Sequence, residues 1–301
     1  MENKEIKNMK NKEIKDIDNK EIKNIEDKEL IITPLGTVST YCYEDKCCPG
    51  FLVQYKDNKI LLDCGSGISK NLNLPNDLNN LTIIISHLHP DHYGELLSIA
   101  STSYVFNKLG YLNDRIKVYI PKGDKINVSE DYKDTDGWSA SRTVEKNLID
   151  YDYLLSLEKE SYLQFIPYEQ RDKLYFDDLE ISFSKNPHPI ITYSTKLETE
   201  GIKLVYSSDT GYKYNCLEEF AKNANLLICE STFLRGQIKN KDNHLFAYEA
   251  AKIAKNANVD MLLLTHFWPS IDKQNYCNEA KEIFLNTQPA QEGKKLILRR
   301  K

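Results

Sequence analysis

The sequence predicts an α/β (α+β) fold: two β-sheets packed together with helices outside, in one domain. Three observations predict it. The order of elements runs from several strands through one helix to more strands, then alternates helices and strands. The apolar runs are short, as strands buried inside sheets are. The 301 residues are 41% hydrophobic and 28% charged, the balance of an ordinary folded domain.

The elements follow in order. Leu30–Gly36 reads as a strand ended by a turn. Phe51–Tyr55 and Lys59–Asp63 flank Asp57-Asn58, a hairpin signal. Leu81–Ile85 is a buried strand, and a helix runs from Gly94 to about Val105. Ile116–Ile120 is a strand stopped by Pro121 and Gly123. In the stretch 124–165, Val144, Leu148, Tyr151 and Leu155 step by four, three and four, which predicts a helix. Its aromatics, Trp138, Tyr151, Tyr153, Tyr162 and Phe165, suit either an outer helix or a lid. Strands return at 174–176, 180–184 and 203–207. Then come a helix over 217–224, a strand at 226–229, a helix over 246–256, a strand at 261–264 and a helix over 276–285. An edge strand at 295–298 closes the domain.

That domain spans residues 30–301. Residues 1–29 are different in kind. The unit Asn-Lys-Glu-Ile-Lys occurs at 3–7, 11–15 and 19–23, a step of eight that fits no helical period. Eight lysines and nine acids leave the segment nearly neutral. It reads as a disordered or fraying helical extension. The sharper alternative is a partner helix using Ile6, Ile14, Ile17, Ile22 and Ile25.

Composition bounds the function. A net charge of −5 gives no global basic footprint, and there is no DNA-binding motif. No apolar run approaches the roughly 20 residues of a membrane span. The charged start lacks a secretory signal, and the seven cysteines are odd in number and irregularly spaced. The expectation is a cytoplasmic protein with reduced thiols and no membrane partner. Cys42, Cys47 and Cys48 read as a turn into a strand at Pro49-Gly50 rather than as a metal clip.

The six histidines carry the chemistry. His87, His89 and His92 share the motif Ser86-His87-Leu88-His89-Pro90-Asp91-His92, directly after a buried strand, where ligand sites of layered α/β folds lie. Residues two apart in extended chain point the same way, so His87 and His89 can grip one metal. Asp91 and His92 come as the chain turns into the helix and can face a second. Imidazole with carboxylate is the donor set of hydrolytic zinc, and manganese or iron also suit it. Asp209 and His266 each end an apolar strand, as rigidly held ligands should. Asp63 could accept an imidazole N–H and fix its tautomer.

Ser-His-Leu-His-Pro-Asp-His resembles the signature of the metallo-β-lactamase superfamily, and further motifs follow in that family's order over about residues 30–299. Leu61-Leu62-Asp63-Cys64-Gly65 resembles the first motif, with the aspartate supporting the metal loop. Asn186-Pro187-His188-Pro189 resembles the third, making His188 a ligand of the first metal. Ser207-Ser208-Asp209-Thr210 resembles the fourth, with Asp209 bridging. Leu264-Thr265-His266-Phe267 resembles the fifth, with His266 on the second metal. The resemblance implies a four-layer αββα sandwich holding two divalent ions, zinc foremost.

His244, before the helix at 246–256, is similar to the histidine that faces the substrate phosphate in the ribonuclease Z and phosphodiesterase branch. A helix N-terminus favours anions, and a neighbouring histidine can protonate a leaving oxygen. The chain departs from ribonuclease Z in one respect. Only 20 residues separate His188 from Asp209, with no room for that enzyme's long arm. The reading is therefore a hydrolase of small-molecule or nucleotide phosphodiesters that uses a metal-bridging hydroxide, with Asp91 and His244 catalytic. Lactone, thioester or β-lactam hydrolysis is the alternative on the same metals; transfer-RNA processing and a non-catalytic metal scaffold rank below it. Ser207 or Ser208 is a candidate to hold a substrate oxygen, although strand-end serines usually do not, and Tyr193 and Trp268 suit either the pocket wall or the core. Dimers are common in that branch, so a homodimer is one expectation.

Overall fold

A computed structural model describes residues 29–122, 126–133, 139–146, 154, 156–159, 161–212, 216–238 and 243–300. The repeat at 1–28 and parts of 124–165 lie outside these residues.

Two seven-stranded sheets form the frame. In the first, the order is β16 (Leu296–Arg299), β1 (Glu29–Gly36), β2 (Gly50–Tyr55), β3 (Asn58–Leu62), β4 (Leu81–Ile84), β5 (Ile116–Pro121) and β8 (Leu163–Tyr168). In the second it is β15 (Thr287–Pro289), β14 (Met261–Thr265), β13 (Leu226–Glu230), β12 (Ile202–Tyr206), β11 (Tyr193–Thr199), β10 (Leu179–Lys185) and β9 (Lys173–Phe176). Both sheets change character in the middle. Pairing is antiparallel from β16 through β3 and parallel from β3 through β8. Likewise it is antiparallel from β9 through β12 and parallel from β12 through β15.

Side-chain alternation explains the layering. On β3, Ile60 and Leu62 enter the core between the sheets while Leu61 points outward. On β13, Leu226 and Ile228 face inward and Leu227 and Cys229 outward. Strands apolar on both faces need cover on both sides. The outer face of the first sheet lies under the helix Leu96–Lys108, through Leu96, Ile99 and Ala100. The outer face of the second lies under the helices Ala247–Asn256 and Lys273–Lys281. The result is the expected four-layer αββα sandwich. Among the described residues, no helix is long and apolar enough to cross a membrane.

The predicted helix through Val144 is corrected. Val144 belongs to a strand, β7 (Ser139–Lys146), which pairs antiparallel with β6 (Ile126–Lys133) as a separate two-stranded ribbon, Val144 opposite Val128. The overlooked signal is Asp136-Gly137, a hairpin dipeptide between the two runs. Leu148, Tyr151 and Leu155 of that predicted helix lie outside the described residues. The last helix also starts earlier than predicted, because Asp272 caps it by accepting from the Gln274 backbone N–H at 2.9 Å.

Candidate metal centre

The parallel halves of both sheets end at one place. Asp63 follows β3, the histidine motif follows β4, Asp209 follows β12, Glu230 ends β13 and His266 follows β14. Strands running the same way deliver their C-terminal loops to one rim, which is why residues so distant in sequence meet there.

The donors fall into groups whose ligand atoms lie within 4.8 Å of one another. One joins His87, His89, His188 and Asp209; another joins Asp91, His92 and His266; Asp209 also groups with His244 and His266. The two carboxylate oxygens of Asp209 divide between the first two. Oδ2 lies 3.6 Å from His87 Nε2 and 4.0 Å from His188 Nε2. Oδ1 lies 3.3 Å from both His92 Nε2 and His266 Nε2. Asp91 Oδ2 closes that second group at 3.4 Å from His266.

Hydrogen bonds on the far side of each ring assign the tautomers. His92 Nδ1 donates to Asp63 Oδ2 at 2.8 Å, leaving a lone pair on Nε2. Thr232 donates its hydroxyl proton to Glu230 and so accepts from His266 Nδ1 at 2.7 Å. His266 Nε2 therefore also presents a lone pair, 3.3 Å from that of His92. His188 Nδ1 donates to the Asn243 carbonyl at 3.1 Å and turns Nε2 toward His89. Asp209 Oδ1 is buried and accepts no hydrogen bond. Acceptors thus crowd two points with no donors between them, an arrangement that positive charge must complete.

The electrostatics agree. Burial lowers His87 and His89, and it brings His188 down to about 4, so these rings are neutral donors. Burial also opposes charge on His92, yet Asp209, Asp91 and Asp63 outweigh it and raise His92 well above the usual range. The site draws in a proton where a divalent cation would satisfy every acceptor at once. The donor set fits divalent metal.

Asp63 sits where the sequence placed it, behind the metal loop. It accepts from the Ser86 backbone N–H, the Ser86 hydroxyl, His92 Nδ1 and the Tyr206 hydroxyl, all within 2.9 Å. Gly65 lets this segment pass the loop closely, since a Cβ there would lie 2.2 Å from the Asp91 carbonyl oxygen. Asp91 Oδ2 also accepts from the Thr40 backbone N–H at 2.8 Å.

His244 stands at the open side, its ring 5.5 Å from that of His266. Its Nδ1 lies 3.0 Å from Glu230 Oε1. Sequence reasoning missed Glu230, although a lone carboxylate closing the apolar run Leu226–Cys229 repeats the pattern of Asp209 and His266. Glu230 is fully buried and accepts from the backbone N–H groups of Thr210, Thr232 and Leu245 as well. Burial opposes the charge on His244, but Glu230 outweighs it and pushes the imidazole up to about 9.

The expectation for Ser207 and Ser208 changes. Ser207 and Ser208 are buried and engaged by protein. Ser207 Oγ donates to the Ser208 carbonyl and accepts from the Glu230 backbone N–H, while Ser208 Oγ donates to Ser86 Oγ at 2.6 Å. They tie strand ends together rather than reach a substrate. Tyr193 packs in the core against Tyr168, at 5.3 Å between ring centroids. Trp268 is half-buried beside the site. The Cys42 and Cys47 thiols donate to the Ser66 and Gly67 carbonyls.

Two sheets, flanking helices and histidine–aspartate groups at the strand ends define a metal-dependent hydrolase of the metallo-β-lactamase fold. The chain belongs to the family described as anti-Pycsar protein Apyc1, whose model matches residues 30–288. It is 26% identical to the probable metallo-hydrolase YhfI of Bacillus subtilis over 84% of this chain and 93% of that one. It is 28% identical to a ribonuclease Z of Clostridium perfringens, covering 88% and 97% of the two chains. The crystal structure of Bacillus subtilis YhfI superposes with a TM-score of 0.73 at 24% identity, over 90% of this chain and all of that one. A diphosphatase of the PhnP family shares the fold at a TM-score of 0.66 and 13% identity, over 90% of this chain and 98% of that one.

Proposed function

We propose that this protein hydrolyses phosphodiesters of nucleotide size with two divalent ions, zinc foremost. The observation that carries the reading is the His244–Glu230 pair beside the doubled acceptor groups. The metal ions, when bound, would supply a nucleophilic water at neutral pH and offset the charge that develops on phosphorus oxygens. His87, His89 and His188 would hold one ion, Asp91, His92 and His266 the other, with Asp209 between them.

The protein's own groups do the rest. Glu230 keeps His244 protonated and fixes its ring through Nδ1. A protonated imidazole at the open side can donate to a departing alkoxide, which would otherwise leave as a strong base. Asp91, held by the Thr40 N–H, orients the attacking water. Hydrolysis of a lactone or thioester needs no such acid for its leaving group to the same degree. The short β11–β12 hairpin fills the interval between His188 and Asp209, which favours small diesters over transfer RNA.

The test compares metal-loaded protein on bis(p-nitrophenyl) phosphate and on a nucleoside 3′,5′-cyclic monophosphate, with a lactone and a thioester in parallel. Both diesters should turn over. His244→Ala should cost about 10²–10⁴ in kcat on the cyclic nucleotide and far less on the nitrophenyl ester, whose leaving group needs no proton. Silence on both diesters with turnover of the lactone or thioester would overturn the proposal.

A further inference from the structure

Three cysteines gather around one turn beside the metal centre. Cys42 is exposed, Cys47 and Cys48 are buried, and all three are free thiols. The Cys42 thiol donates to the Ser66 carbonyl at 3.0 Å, and the Cys48 backbone N–H donates to the same oxygen at 3.0 Å. The Cys42 and Cys48 thiols lie within hydrogen-bonding reach of each other. Burial raises the Cys48 thiol well above its usual range, and Cys42 and Asp91 add to the shift, so Cys48 stays protonated. Cys47 turns its thiol to the Gly67 carbonyl at 3.1 Å instead. Gly67 leaves room for two sulfurs, since a Cβ there would lie 3.1 Å from Cys42 Sγ and 3.2 Å from Cys47 Sγ.

The turn that carries Cys42 also grips the metal loop. Thr40, two residues earlier, donates its backbone N–H to Asp91 Oδ2 at 2.8 Å. It does so from the left-handed region, at φ 65°, where a β-branched residue is out of place. Such a conformation persists only where its surroundings hold it. Here the Tyr41 N–H is turned onto the Ser39 carbonyl at 2.7 Å, and the Cys42 thiol ties the far end of the turn to Ser66. Whatever moves Cys42 therefore acts on the Thr40–Asp91 contact.

We propose that Cys42 and Cys48 are a peroxide-sensitive thiol pair whose disulfide withdraws the Thr40 N–H from Asp91. The exposed Cys42 thiolate attacks one oxygen of hydrogen peroxide. The O–O bond breaks, leaving a sulfenic acid on Cys42 and a hydroxide, which takes up the proton that the thiol released. The Cys48 sulfur then attacks the sulfenic sulfur. The S–O bond breaks, and the hydroxyl departs as water with the Cys48 proton. Two thiols and one peroxide thus give one disulfide and two waters. No S–H remains on Cys42 to hold Ser66, and a sulfur–sulfur bond of about 2 Å draws Cys42 inward. Cys48 cannot come out to meet it, because its backbone is bonded to Ser66 and its side chain is buried. The exposed turn gives way, and Asp91 loses the donor that fixes it. A dithiol reductant reverses the step. The switch does not depend on which ester the centre cleaves.

The zinc-loaded full chain is treated with stoichiometric hydrogen peroxide and then with dithiothreitol. Peroxide should remove two hydrogen atoms from the intact mass. A non-reducing digest cut after Lys46 should return the Cys42 peptide joined to the one that carries Cys48. Turnover of bis(p-nitrophenyl) phosphate should fall several-fold, in kcat more than in KM, and dithiothreitol should restore it. Cys42→Ser keeps a donor for Ser66, so it should match the untreated wild type, form no bridge and resist peroxide. Cys48→Ala should accumulate Cys42 sulfenic acid, trapped by dimedone, whereas Cys47→Ala should still bridge. The exposed Cys42 keeps the test sound if Cys48→Ala fails to fold. A second readout needs no turnover: the bridged form should bind zinc about 10-fold more weakly in competition with a chromogenic chelator. No bridge in the wild type, or one that survives Cys48→Ala, would overturn the pair. A bridge that alters neither turnover nor zinc affinity would overturn its action on Asp91. Silence on the diester before any peroxide would count against the phosphodiesterase reading alone, since mass and zinc affinity still read the switch.

Discussion

Asp63, Ser208 and His266 adopt left-handed backbone conformations, with φ of 59°, 51° and 60°. Residues other than glycine seldom do so, and each costs on the order of 1–2 kcal/mol. Asp63 and His266 directly follow the last residue of a strand, Ser208 comes two residues after β12, and each turns the chain sharply into the site. The conformations persist because buried hydrogen bonds hold the side chains. Asp63 is the clearest case, with four donors on one carboxylate. Asp63→Asn should lower metal affinity or activity by about 10- to 100-fold, measured by competition with a chromogenic chelator, because the amide cannot serve four donors. Glu230→Gln removes the charge that keeps His244 protonated. With His244 raised to about 9, the acid is present below that pH and lost above it. Bound cations would lower the figure, so on the proposed acid role of His244 the basic limb of the kcat profile should lie at or below 9 in the wild type. In Glu230→Gln it should move down by at least one unit, and an unmoved limb would separate Glu230 from the acid.

The elements show why some of this was legible in the sequence. Strands such as Leu81–Ile84 and Leu226–Glu230 are buried along their whole length, so each reads as a short apolar run. A polar residue at the end of such a run is conspicuous, which exposed Asp209 and His266. Glu230 follows the same rule and was overlooked only because no motif accompanied it. A spacing of four, three and four from Val144 suits a helix, yet residues 139–146 pair with 126–133 as an antiparallel ribbon; the only contrary signal in the sequence is the dipeptide Asp136-Gly137 between the two runs. Tertiary partners also hid the roles of Ser207 and Ser208. Nothing in the sequence says that one hydroxyl meets the Glu230 backbone and the other Ser86. Close passage of the β3 exit past the metal loop was equally invisible. Gly65→Ala would force a Cβ against the Asp91 carbonyl and the Cys48–Pro49 backbone. It should displace Asp91 and depress kcat more than it lowers the melting temperature. Wild-type turnover in that variant would show that the approach is slack.

At the scale of the molecule, the two sheets repeat one plan, antiparallel strands giving way to parallel ones, and the site lies where the two parallel halves end. Neither half is sufficient. The first sheet supplies His87, His89, Asp91 and His92, and the second supplies His188, Asp209 and His266. Cations held between them would therefore cross-link the sandwich. Stripping metal with a chelator should lower the melting temperature, and restoring zinc should raise it in a concentration-dependent way, by linkage. Residues 1–28 supply none of these ligands, and their removal, keeping Glu29 as the first residue of β1, should leave both the melting temperature and diester turnover unchanged. A loss of either would assign the extension to the working enzyme.

The proposed function requires a pair of cations sharing Asp209. The direct measurement is an anomalous difference map from a crystal of the zinc-loaded protein. Two peaks are expected, one among His87, His89, His188 and Asp209 Oδ2, the other among Asp91, His92, His266 and Asp209 Oδ1. A single peak, or peaks away from Asp209, would contradict it.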